Sequence, residues 1–139
     1  MALPTLDAAR DWLAGADTTP EHAHRWWSSG TVALLPLGVQ FDAIEIPAAT
    51  AEAVAGAPEI DGPVIRYAET GRLYVLVPAG TYATWDGRHV LCLGDGHYLG
   101  IPDPDRTDPP GAHWVRPPDG SGRLTSAITV QQAVARVIA

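Results

Sequence analysis

The sequence predicts an α+β fold built mainly from antiparallel strands, and three observations carry that prediction. Apolar, β-rich runs come in pairs separated by short glycine-containing turns, and helical patterns gather at the start, middle and end of the chain. Neither a Gly-x-Gly-x-x-Gly nor a Gly-Lys-Ser/Thr element occurs, which argues against a doubly wound nucleotide-binding sheet.

The first helix is expected after Thr5 as its cap, with Leu6, Ala9, Trp12 and Leu13 on its apolar side and Gly15 as a left-handed stop. Thr19 as N-cap, Pro20 at the first helical position and Glu21 in the first turn open a second helix through Trp27, closed by Ser28, Ser29 and Gly30. From Thr31 the period changes. TVALLPL and FDAIEIP read as a hairpin across Gly38-Val39-Gln40, with Pro36 marking an edge or bulge and Phe41, Ala43 and Ile44 or Ile46 near the core.

AATAEAVAG, Ala48 to Gly56, reads as a short helix. PVIRYA and RLYVLVP form a second hairpin around Glu69-Thr70-Gly71, and RHVLCLG with HYLGIP a third around Gly94-Asp95-Gly96. Residues 102–122 are rich in proline, glycine and aspartate, with His113-Trp114-Val115 as a final strand or structured loop. The closing SAITVQQAVARVIA is a helix capped by Thr125 or Ser126, its apolar side read as Ile128, Ala135 and Ile138 with Val130, Val134 and Val137.

A length of 139 residues suits one domain, and a hydrophobic fraction of 46% supports a packed core. The single Cys92 excludes an intramolecular disulfide and points to a reducing compartment. No leader pattern or membrane-length apolar run is visible, so the cytoplasm is the expected location. Sixteen acidic residues against nine basic ones give a net charge of −7, and every basic residue is arginine. Non-specific binding of duplex DNA draws on clustered positive charge, and the arginines form no run, so that function class is disfavoured.

The ordered blocks TTPEHAHRWW, TVALLPLGVQFDAIEIPA, GPVIRYAETGRLYVLVPAG and VLCLGDGHYLGIPDPDRTDPPGAHWVRPP resemble the primase-polymerase domain of bifunctional DNA primase/polymerases, in the archaeo-eukaryotic primase superfamily. The likeness runs from about Thr18 to Pro118. It implies a reduced form of that α+β domain. It also implies nucleotidyl transfer, in which strand-borne carboxylates hold divalent metal ions. Here the family's first acidic position falls on Glu45 and its second on Pro47, which cannot bind metal. The family histidine is replaced near Arg72, and the third acidic position falls near Cys92, with Asp95 in the following turn.

Asp42, three residues before Glu45, is expected on the opposite face of the strand. The resemblance therefore implies a non-catalytic relative that binds a protein partner or a nucleotide between the Glu45 and Arg72 strands, with no metal or other cofactor. Two alternatives accompany this reading. One is an active nucleotidyltransferase using Glu45, Asp42 and Asp95 with magnesium or manganese; the other is a scaffold or regulatory interaction protein.

Several further residues are candidates for contact. Arg72 can meet a phosphate, Trp85 and Trp114, if exposed together, suggest a binding patch, and His97 is a further ligand-binding candidate. His89, His97 and His113 are candidates for an imidazole cluster. His22 and His24 diverge on their helix and read as solvated. Trp26 and Trp27 read as one core residue beside a half-exposed neighbour. Cys92 reads as an inert buried thiol, and Asp103, Asp105 and Asp108 as a solvated turn rather than a calcium loop.

Overall fold

The computed structural model describes residues 6–87 and 89–138 and has the expected α+β architecture. A five-stranded sheet in the order β5-β2-β4-β3-β7 contains β2 (Phe41–Ile46), β3 (Val64–Tyr67), β4 (Arg72–Pro78), β5 (Leu91–Leu93) and β7 (Ala112–Arg116), and every neighbouring pair is antiparallel. Two further strands, β1 (Ala33–Pro36) and β6 (Tyr98–Ile101), pair with each other. The helices are α1 (Leu6–Ala14), α2 (Glu21–Ser28), α3 (Ala48–Ala55), α4 (Thr81–Thr84) and α5 (Ala127–Ile138). No helix among the described residues is long and apolar enough to cross a membrane.

A core lies on each face of the five-stranded sheet. On the first, α1, α2 and the β1–β6 pair cover Phe41, Ala43, Ile65, Leu76 and Trp114; on the second, α3 and α5 cover Ile44, Ile46, Leu73, Val75 and Val77. Strand β2 is buried on both faces, which is why Phe41, Ala43, Ile44 and Ile46 are all core residues. Arg72–Pro78 alternates between the same two cores and pairs with β2 along its length.

Two of the three expected hairpins are rearranged. TVALLPL does not pair with FDAIEIP, and RHVLCLG does not pair with HYLGIP; instead β1 pairs with β6 and β2 with β5. The chain segments 33–46 and 91–101 thus form one long, bent antiparallel ribbon whose register shifts by two residues between its halves. The bend lies where the two supposed hairpin turns meet. Leu37 N–H donates to His97 O at 2.9 Å, and a Cβ on Gly38 would fall 2.8 Å from Asp95 Cα. Non-local pairing of two extended strands, each bent at its glycines, here overrides the short-range turn signal. Only the β3–β4 hairpin forms as expected, with Gly71 in the left-handed region and its N–H donating to Tyr67 O at 2.8 Å.

Other differences are local. Gly15 is not left-handed; it follows α1, and a Cβ there would fall 2.9 Å from the end of the flexible Gln40 side chain. The expected Thr5 cap lies outside the described residues, as does Arg88 at the start of the predicted RHVLCLG strand. Helix α2 starts one residue later than expected, with Pro20 at the capping position, and Asp17 Oδ1 accepts the Thr19 N–H at 2.9 Å. On α5 the buried side is Val130, Ala133 and Val134, while Ile128 and Ile138 are exposed, so the predicted face was rotated. Ser126 Oγ accepts the Thr129 N–H and caps that helix, and Thr125 Oγ1 accepts the Gly62 N–H instead.

The bend generates a stability prediction. Gly38 combines φ of +92° with backbone contact to Asp95, whereas Gly96 has the same φ and open space around it. Gly38→Ala should therefore lower urea-unfolding stability by more than Gly96→Ala, each strained position costing about 1–3 kcal/mol before the Gly38 clash is added. Equal losses would show that the close approach at the bend is not stabilising.

Candidate functional site

The pleat of β2 decides where its two carboxylates go. Phe41, Ala43 and Glu45 project to the first face and Asp42, Ile44 and Ile46 to the second, so Asp42 and Glu45 stand on opposite sides of the sheet. Pro47 ends the strand in an extended conformation and starts α3, so the position where the resemblance places a second metal ligand is a helix entry.

Glu45 belongs to a ladder of polar groups on the first face. Its Oε1 accepts the Tyr74 hydroxyl at 2.8 Å and the Arg72 guanidinium at 3.4 Å. The Tyr74 ring lies 4.9 Å, centroid to centroid, from Tyr67, whose hydroxyl donates to Gly100 O at 2.6 Å. Burial, then the Glu45 carboxylate, push the Tyr74 phenol up to about 12. Burial likewise raises Tyr67. Among the described residues Glu45 Oε2 takes no hydrogen bond, and Glu45 lines a groove of about 260 Å³ together with Arg72, Pro47, His89 and Leu91. The structure thus does bring Glu45 and Arg72 to one cavity, but as an ion pair.

Asp42 has a different task. Fully buried, its Oδ2 accepts the backbone N–H groups of Gly80 at 3.1 Å and Tyr82 at 2.8 Å, fixing the turn from β4 into α4. This is a capping contact, in which a carboxylate satisfies amides that a short helix leaves open. Its Oδ1 is buried without a partner. Nearby, burial and then the charge of Asp42 push the Cys92 thiol up to about 12, which makes that sulfur a poor nucleophile.

The turn held by Asp42 leads into α4 and on to β5, and the sequence left residues 79–87 of this stretch without an element. Trp85 is half-buried against the second core, and its Nε1 donates to Val90 O at 3.1 Å. Around Trp85, Tyr82, Leu91 and Cys92 lies an apolar cavity of about 220 Å³. A third, of about 280 Å³, lies between Asp86, His89 and the Gln131–Ala135 side of α5. All three cavities share Gly87 and Val90, so they cluster beside β5, the terminal strand of the sheet.

The remaining candidates scatter. Asp95 is exposed in the ribbon bend, and His97 is exposed with its ring 5.6 Å from Tyr82. Trp114 is a correction: it is 1% exposed, at the heart of the first core, with Nε1 donating to Pro102 O and Asp103 O. It cannot share a surface with Trp85, which sits on the other face. His113 is buried while His89 and His97 are exposed, and among the described residues no group of three histidine, cysteine or acidic side chains is placed to hold a metal ion.

Trp27 is core and Trp26 is 38% exposed. His22 and His24 face Asp17 and Asp11 at 3.5 and 3.3 Å. Asp103 and Asp105 of the 102–111 loop answer to Arg10, which meets them at 3.0 and 3.8 Å. These border a cavity of about 390 Å³ beside Trp27 and Val32, apart from every expected site residue. Sequence reasoning missed Tyr74, Tyr82 and the Asp42 cap; the Gly80-Thr81 step after the Pro78 strand end was the signal for a capped turn.

Comparison of the chain with protein-family models, curated proteins and solved structures yields no match.

Asp42→Ala leaves the Gly80 and Tyr82 amides without their acceptor and should cost about 1–3 kcal/mol in urea unfolding. Asp42→Asn keeps an acceptor oxygen and should lose clearly less. Equal losses in the two variants would mean that the carboxylate charge, not the cap, holds the turn.

Proposed function

We propose that this chain is a degenerate primase-polymerase-like domain that works by binding, in the cytoplasm, and that its ligand is a protein. The observation supporting this reading is the dispersal of the acidic candidates. Metal-assisted nucleotidyl transfer needs at least two carboxylates converging on magnesium in tight geometry. Asp42 is committed to backbone amides on one face, Glu45 to Tyr74 and Arg72 on the other, and Asp95 lies exposed in a bend.

A protein ligand is favoured over a nucleotide by size and charge. The Glu45–Arg72 groove, about 260 Å³, falls below the roughly 300–1,000 Å³ of ordinary small-molecule sites. The net charge of −7 also disfavours a polyanionic nucleotide. The exposed apolar side chains Tyr82, Leu91 and Tyr98 instead suit contact with another polypeptide.

Primer extension with Mg²⁺ or Mn²⁺ should give no product from the wild-type chain, and calorimetric titration with nucleoside triphosphates and Mg²⁺ should give no heat of binding. Extension that Glu45→Ala abolishes would reinstate the catalytic alternative, and saturable heat would reinstate the nucleotide.

A further inference from the structure

The geometry points to the free edge of β5 as the docking site for an extended basic segment of a partner protein, which adds to the sheet as a sixth strand and places an arginine on one face and an aromatic side chain on the other. The inference deepens the proposed protein-binding role and rests on it.

Strand β5 ends the sheet order, and its outer edge pairs with no strand among the described residues. Edge strands are commonly protected by shortness, by lysine or proline, by a charge pointing inward, or by a covering helix or loop. β5 is short, at three residues, but Leu91, Cys92 and Leu93 bring no charge or proline to the edge, and Leu91 is 62% exposed. A peptide added there would send successive side chains to opposite faces.

Each face offers a receptor of different chemistry. Leu91 stands opposite Glu45 on the first face, and both line the same groove. Tyr74 and Arg72 both bond Oε1, so among the described residues Oε2 is left as an acceptor for a guanidinium. Cys92 stands opposite Ile44 on the second face, at the apolar cavity of Tyr82 and Trp85. Gly87, Val90 and Leu91 line both cavities, so the two adjoin each other at β5.

Charge selects a basic occupant. The chain carries a net charge of −7, and Arg10, Arg66, Arg72, Arg123 and Arg136 are already tied to carboxylates. The excess negative field steers a basic segment and repels a second copy of the chain.

The test uses the full chain and fluorescein-labelled synthetic peptides of alternating threonine and valine with a central Arg-Trp step, read by polarisation, with a Glu-Trp peptide as control. The Arg-Trp peptide should bind, and the Glu-Trp peptide should bind at least ~10-fold more weakly. Glu45→Gln and Tyr82→Ala should each weaken the Arg-Trp peptide several-fold, and Leu91→Lys, which adds a charge to an already exposed position, should abolish binding. Hydrogen exchange at Leu91–Leu93 should slow in the complex, a response that contact with side chains alone would not produce.

Absence of binding by the Arg-Trp peptide, equal binding to Leu91→Lys, or unchanged exchange at β5 overturns the proposal. So does dimerisation of the chain alone that Leu91→Lys abolishes, because a second copy would then own the edge. None of these outcomes produces primer extension or nucleotide heat, so failure of the docking site is distinct from failure of the non-catalytic reading.

Discussion

The alternation of side chains along β2 is the constraint on which the rest of the molecule depends. With Phe41 and Ala43 in one core and Ile44 and Ile46 in the other, the strand cannot turn Asp42 and Glu45 to the same side without pulling apolar residues out of a core. Each buried aliphatic side chain returned to water costs about 1.5–3 kcal/mol, and two carboxylates brought together would add repulsion rather than offset it. The two acids therefore take up separate work. One shapes the turn into α4; the other closes the polar ladder of Tyr74 and Arg72.

That division links the fold to the surface around β5. Asp42 fixes the β4–α4 turn, the turn positions Tyr82 and Trp85, and these border the apolar cavity at the sheet edge. On the opposite face, the stacked Tyr67 and Tyr74 hold Glu45 at the rim of the polar groove. Both linkages run through groups buried beneath the edge, so the edge is presented by a rigid base rather than by a loop alone.

The strongly periodic segments were legible in the sequence. The β3–β4 hairpin, the strand at Ala112–Arg116, the middle helix and the Ser126-capped last helix all follow from local patterns of apolar residues, turn residues and caps. Strand pairing was not legible where two bent segments met far from each other in sequence: Gly38 and Gly94-Asp95-Gly96 are the signature of a tight turn, and the same glycines also permit the ribbon to bend and cross. The rotated face of α5 has a similar cause, since its apolar residues surround much more than one stripe and tertiary packing alone selects Val130, Ala133 and Val134. At the site, the opposite faces of Asp42 and Glu45 followed from the strand period. The burial of Trp114 did not, because a proline-rich flank gives no sign of which core receives the ring.

Everything functional in this molecule turns on the absence, among the described residues, of a second acidic side chain beside Glu45 in its groove. Anomalous diffraction from crystals of this protein soaked in Mn²⁺ reads that absence. No manganese peak bridged by Glu45 and a second carboxylate is expected; a peak coordinated by Glu45 together with Asp42 or Asp95 would refute the separation of the two acids.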